Sequence, residues 1–192
     1  VRLGAIGARP NAFNTTRYSE KLLQSAGISV STLDLSELFG SAGRLEDSAA
    51  KVVAKLEEIR GYARHNGVPG EALLKMAKLA VAMEEWMGRY NIQATALQCW
   101  NSIQQNFGVN ACTIMSMMSE KLMPSACEVD VTGLAAMYAL QLASGTPSAL
   151  VDWNNNYSDD PDKAVCFHCS NLPKDVFIDE IPVMDYQAII AG

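Results

Sequence analysis

The 192 residues are 49% hydrophobic and 19% charged, enough apolar material for one substantial core and too much for intrinsic disorder. The 21 acidic residues outnumber the 15 basic ones, and the formal net charge of -6 repels phosphate backbones and anionic membranes. A nucleic-acid partner is therefore not expected. No run approaches the ~18 consecutive apolar residues of a membrane helix, and no membrane partner is expected either.

The chain opens on the strand-like run Leu3-Gly4-Ala5-Ile6-Gly7, with no signal-peptide pattern before it, and then enters a loop holding Arg9, Pro10 and Asn11. A helix is predicted from Thr16 to Ala26, with Leu22 and Leu23 turned inward and Gly27 ending it. A β-branched strand follows over Ile28 to Leu33. The middle reads as helical. Glu46 to His65 carries the stripe Val52, Val53, Leu56 and Ile59, the break Asn66-Gly67-Val68-Pro69-Gly70 interrupts it, and Leu73, Met76, Leu79, Ala80, Met83 and Met87 form a second stripe. These methionines and Trp86 read as core, since methionine fills irregular gaps well.

A third strand is predicted over Ile92 to Cys99 and a methionine-bearing helix over Asn110 to Leu122. Ser125 to Glu128 is a short extended piece running into a helix from Val131 to Ala143. Ser148 to Asp152 and Ala164 to His168 complete the set as fifth and sixth strands. Strands alternating with helices imply parallel βαβ units. The fold expected is one α/β domain over residues 1–192, a parallel-dominated sheet with helices on both faces in three layers. Five cysteines within apolar segments (Cys99, Cys112, Cys127, Cys166, Cys169) suit the reduced thiols of a cytoplasmic protein better than a disulfide framework.

In open α/β sheets ligands bind beyond the carboxyl ends of the strands, so polar residues there carry the chemistry. Arg9, Gln98, Glu128, Asp152 and His168 each follow an apolar run. Two carboxylates with a histidine could hold a hard divalent cation. Each also has a plainer reading. Glu128 and Asp130 precede a helix and could complement its dipole, with Asp130 as N-cap. Asp152 opens the polar run Asp152-Trp153-Asn154-Asn155-Asn156-Tyr157, which is turn-like in composition. Arg9 could pair with an acidic neighbour, and His168 could be a hydrogen-bonded core group. Cys166-Phe167-His168-Cys169 has C-x-x-C spacing but no second pair to complete four zinc ligands. The dinucleotide fingerprint, the P-loop and the G-x-S-x-G elbow are all missing.

The segments Gly7-Ala8-Arg9-Pro10-Asn11-Ala12-Phe13-Asn14, Gln98-Cys99-Trp100, Ala126-Cys127-Glu128-Val129-Asp130 and Leu150-Val151-Asp152 resemble the L-fucose/L-arabinose isomerase-like family. In that family a glutamate and an aspartate separated by one helix and one strand ligate the metal, and positions 128 and 152 fit that arrangement. The resemblance implies aldose–ketose isomerisation of a sugar through a cis-enediol. A divalent cation, Mn2+ or a similar ion, acts as Lewis acid, while a carboxylate moves the proton. It assigns Glu128 and Asp152 to metal ligation and proton transfer without dividing the roles, and Arg9, Gln98, Trp100 and Asn154 to substrate contacts. It also implies a longer protein, with a preceding α/β domain, a following β-rich domain that supplies a histidine ligand, and a homo-oligomer formed through the full-length protein. Without a Met start, the chain reads as the central domain, expected to be inactive alone. His168 is then structural or supports the site from behind. The competing expectation is a non-catalytic carbohydrate-binding or assembly domain of the same fold.

Overall fold

The computed structural model describes residues 1–168, 171–177 and 181–185. Its strands and helices run in the order β1 (Arg2–Ile6), α1 (Glu20–Ser25), β2 (Ser29–Leu33), α2 (Leu35–Gly43), α3 (Ala50–Tyr62), β3 (Arg64–His65), α4 (Gly70–Tyr90), β4 (Ala94–Leu97), α5 (Ser102–Phe107), α6 (Cys112–Glu120), β5 (Ser125–Ala126), α7 (Val131–Ser144), β6 (Asp152–Tyr157), β7 (Asp160–Phe167) and β8 (Val183–Met184). Short 3-10 turns occupy Asn14–Thr16 and Lys174–Val176.

The main sheet is parallel throughout, in the order β2-β1-β4-β5. Strand alternation sends Leu3, Ala5, Ala94 and Ala96 to one face, where α7 covers them with Val131, Leu134 and Met137 and α1 adds Leu23. Ile6, Leu33 and Leu97 face the other way, into the larger core built by α2 to α6. All six residues of the α4 stripe are buried there, Met76, Met83 and Met87 included. Gly4 makes this packing possible, because a Cβ on it would stand 2.7 Å from the Trp86 ring. The expected three-layer α/β arrangement is therefore present. Among the described residues, no helix is long and apolar enough to cross a membrane.

The structure departs from the sequence reading at several points. The first helix is shorter, and Leu22 is 72% exposed; only Leu23 packs inward. On α3, Val53 faces out at 45% exposure, and Lys55 takes the inner position between Val52 and Ile59. Lys55 Nζ is neutralised there by Glu58 at 2.8 Å and Glu84 at 2.7 Å. Helices α2 and α5 add to the predicted set, the former capped by Asp34, whose Oδ1 accepts from the Ser36 N–H.

The largest correction concerns the fifth and sixth strands. Residues Ser148–Leu150 add no strand to the main sheet. The neighbouring β5 is only two residues long and offers little edge, and side chains fasten this segment to α7 instead. Ser148 Oγ donates to the Met137 carbonyl at 2.8 Å, and Leu150 packs against Gly133. Asp152 therefore begins β6, which pairs antiparallel with β7 as a separate hairpin. Ala164 to Phe167 does form strand, but in that hairpin and outside the main sheet.

Candidate functional site at the carboxyl edge of the sheet

From β1 the chain moves outward to β2, then crosses to the other side of β1 to enter β4. The switch point of this sheet thus lies between the carboxyl ends of β1 and β4, where open α/β folds place ligands. Three sequence-derived candidates meet there. Gln98 spans the two strand ends: its Oε1 accepts the Ala8 N–H at 2.8 Å, and its Nε2 donates to the Trp100 carbonyl at 3.1 Å. Gly7, at φ 81°, allows this approach, since a Cβ there would fall 2.6 Å from the Gln98 Oε1. Gln98 thereby braces the crevice.

Arg9 folds the loop beyond β1 onto itself, with Nη1 donating to the carbonyls of Pro10 (3.0 Å), Phe13 (3.2 Å) and, at 3.5 Å, Asn11. The suggested acidic neighbour is not there: among the described residues Arg9 forms no ion pair. The loop then lays Phe13 edge-on against Trp100, ring centroids 5.3 Å apart. The Trp100 Nε1 donor is buried without a hydrogen-bond partner among the described residues.

Glu128 follows β5 on the same edge. It and Val129 both adopt left-handed backbone, at φ 64° and φ 55°. For a β-branched residue this is a real outlier, and such strain costs on the order of 1–3 kcal/mol per residue. The surroundings hold it in place. The Val129 N–H donates to the Leu97 carbonyl at 3.3 Å, the Asp130 N–H to the Cys127 carbonyl at 2.9 Å, and the Thr16 hydroxyl reaches the Glu128 carbonyl at 3.4 Å. Asp130 then caps α7, its Oδ1 accepting the Gly133 N–H at 2.8 Å, so the expected N-cap is observed.

Asp152 and Asn154 lie on the separate β6–β7 hairpin. Both are exposed, and Asn154 is the extra residue where the β6–β7 register shifts. Leu150 anchors this segment beside Gly133 in the first turn of α7. Two residues of chain span at most ~7 Å, so the Asp152 backbone starts near the same end of α7 that Glu128 leads into.

His168, just beyond β7, is partly buried and lines a different cavity of about 1040 Å3, shared with Gln104, Asn110 and Ser116. None of the six candidate site residues lines that space. Gln104 links the two regions by donating to the Cys99 carbonyl at 2.8 Å. Cys99, Cys112 and Cys127 are buried and Cys166 is exposed; Cys169, the other half of the C-x-x-C pair, lies outside the described residues. Among the described residues, no three His, Cys, Asp or Glu side chains gather as a metal-binding group.

Phe13, Thr16 and Arg17 escape a strand-end search because they sit in the middle of a loop. One signal does mark them: Arg2, Arg9 and Arg17 are the only charged side chains before Glu20, in an otherwise acidic chain.

No protein-family model matches the chain. It is 25% identical over 173 residues to a protein of Priestia aryabhattai named sulfoquinovose isomerase, a match covering 88% of this chain and 38% of that protein. A protein of the same name from Alkalicoccus urumqiensis is 26% identical over 171 residues, with the same coverage. One from Clostridium sp. (strain MSTE9) is 24% identical over 153 residues, or 79% of this chain and 34% of the relative. The chain thus spans well under half the length of these relatives. Their shared name supports a sugar-isomerase family for this chain, without singling out the L-fucose/L-arabinose type.

Proposed function

We propose that this chain contributes the carboxyl-edge half of the active site of an aldose–ketose sugar isomerase, acting on sulfoquinovose or a similar sugar. The observation that carries the reading is Glu128. It is a carboxylate on a strained left-handed turn beyond β5, held there by the Leu97 carbonyl at the end of β4 and by the Thr16 hydroxyl of the loop after β1. Proteins keep such strain chiefly where a side chain must be aimed. The names of the relatives supply the reaction class.

Carboxylate oxygens suit a hard divalent ion such as Mn2+. This chain would hold it through Glu128 and Asp152, with the remaining ligands supplied from outside the described residues. When bound, such an ion polarises the sugar carbonyl and acidifies the neighbouring C–H. In the L-fucose/L-arabinose-like mechanism a carboxylate of this pair takes the proton from the carbon next to the carbonyl. The former carbonyl oxygen gains a proton to complete the cis-enediol, the neighbouring hydroxyl loses its own to become the new carbonyl, and the carboxylate returns its proton to the former carbonyl carbon. Phe13, edge-on against Trp100, provides an apolar wall for the sugar. Gln98 keeps the two strand ends at fixed separation.

The test is aldose–ketose interconversion by the whole protein with and without Mn2+, over a panel containing sulfoquinovose, pentoses and 6-deoxyhexoses. Manganese-dependent turnover is expected from the whole protein, and none from residues 1–192 alone. If the whole protein turned over no sugar but bound one, the non-catalytic carbohydrate-binding reading would replace this one.

A further inference from the structure

Helix α7 is apolar all round. No charged side chain occurs in Val131–Ser144, and none follows until Asp152. Each of the other longer helices carries charge: Glu37 on α2, Lys51 on α3, Glu71 on α4 and Glu120 on α6. A surface helix ordinarily turns an apolar stripe inward and a charged face to water, whereas a helix apolar on every side is ordinarily covered on every side. Here Val131, Leu134 and Met137 are buried against the sheet, but the opposite side is exposed among the described residues. Leu140 is 59% exposed and Leu142 is 65% exposed. Thr132, Ala136, Ala139 and Ala143 share that outer face and are exposed as well.

The spacing on this face suits a second helix. Thr132, Ala136, Ala139 and Ala143 follow one another at intervals of four, three and four, the rhythm of a helix–helix seam. Side chains this small let another backbone approach closely. The intervals also read the same from either end, so the seam complements a copy of itself run antiparallel: position 132 meets 143, and position 136 meets 139. Leu140 stands to one side of the seam, and in that pairing it lies beside the small Ala136 of the second copy. Charge points the same way. Two copies of a chain with net charge -6 repel one another, so they approach most easily through a face that carries no charge.

We propose that the exposed face of α7 is a two-fold interface between copies of this protein, with α7 packed antiparallel against α7 of a second copy. The family resemblance implies an oligomer without giving a surface for it, and this interface does not depend on the sugar chemistry. The contact is isologous, the commonest kind among soluble homo-oligomers. Its axis passes between positions 137 and 138. With a rise of 1.5 Å per residue, position 139 lies ~2 Å from that axis along the helix and position 132 lies ~8 Å from it. Leu140, exposed in the single chain, becomes buried in both copies.

Light scattering on the whole protein across a concentration series tests this. The unmutated protein is expected to form a dimer or a larger even-numbered assembly, and Leu140→Glu to halve its mass while leaving the Tm nearly unchanged, since the side chain replaced is exposed. An unmutated protein that is monomeric at every concentration overturns the proposal, as does a folded Leu140→Glu protein of the parent's mass. Oxidative cross-linking decides the matter if that variant fails to fold. Ala139→Cys is expected to give a disulfide-linked dimer, because the two copies of position 139 are offset by only ~4 Å along the helices, whereas the copies of position 132 are offset by ~16 Å, beyond disulfide reach. Thr132→Cys is therefore expected to stay unlinked. Equal linkage at both positions, or none at either, overturns the antiparallel pairing. An Ala139→Cys thiol that resists alkylation in a monomeric protein overturns it too, because another segment of the same polypeptide then covers α7.

Discussion

Leu150 lies against the bare Cα of Gly133, so close that a Cβ on Gly133 would stand 2.7 Å from Leu150 Cδ2 and 2.5 Å from Asp130 Oδ2. One missing methyl group thus lets the chain leaving α7 return to that helix's first turn, just before Asp152. In an open helix Gly→Ala would gain on the order of 1 kcal/mol from propensity. Here Gly133→Ala is expected to cost about 1–3 kcal/mol net, as overpacking and a disturbed N-cap outweigh that gain. A thermal melt reads the outcome, and a Tm equal to or above the parent's would mean that Leu150 does not seat there in solution.

Glu128→Gln preserves size and removes the charge. In the whole protein, turnover is expected to fall by roughly 10²- to 10⁴-fold, the usual contribution of a positioned acid–base group. Mn2+ affinity should weaken in the same variant. Steady-state kinetics beside a metal titration separate the two effects, and turnover at the parent rate would remove Glu128 from the chemistry.

Lys55 is the most buried cation of the α3–α4 interface, 7% exposed and shared by Glu58 and Glu84. Burial pushes its ammonium down, but the hydrogen bonds and charges of the two carboxylates outweigh that and leave it above the usual lysine value. For Glu58, burial pushes upward and is outweighed by Lys121 and Lys55, so its carboxyl is held below the usual range. The signs then follow. Glu58 contributes stability at neutral pH that is lost as pH falls through its lowered range, whereas the Lys55 contribution disappears only above the ordinary lysine range. Lys55→Met is expected to cost about 1–3 kcal/mol at pH 7, less than for a fully buried pair because both carboxylates are about one-third exposed. Urea denaturation between about pH 7 and pH 3 should show the parent losing more stability on acidification than the variant. Parallel losses would exclude the cluster as the source.

Among the described residues, the β6–β7 hairpin rests on little else. Every residue of β6 is exposed, and Trp153 is 83% exposed. An isolated two-stranded hairpin is marginally stable in water. Hydrogen exchange in residues 152–167 of this chain is expected to be orders of magnitude faster than in β1 or β4. Slow exchange there would show that something covers the hairpin in solution.

The sequence by itself determined the parallel α/β class, the inward stripe of α4 with its methionines, the Asp130 cap and the polar character of the strand ends. Those features depend on local period and local chemistry, which neighbouring residues encode together. Tertiary structure decided the rest. Lys55 reads as a surface residue until α4 brings Glu84 to it, and the bond from the Ala8 N–H to Gln98 Oε1 exists only once the ends of β1 and β4 lie side by side. The run ending at Asp152 looks like a fifth strand, but strand formation needs an edge to pair with, and two-residue β5 provides almost none. Periodicity shows which side of an element is apolar; only the assembled chain shows which partners its polar groups find, as Arg9 does by turning onto the carbonyls of its own loop.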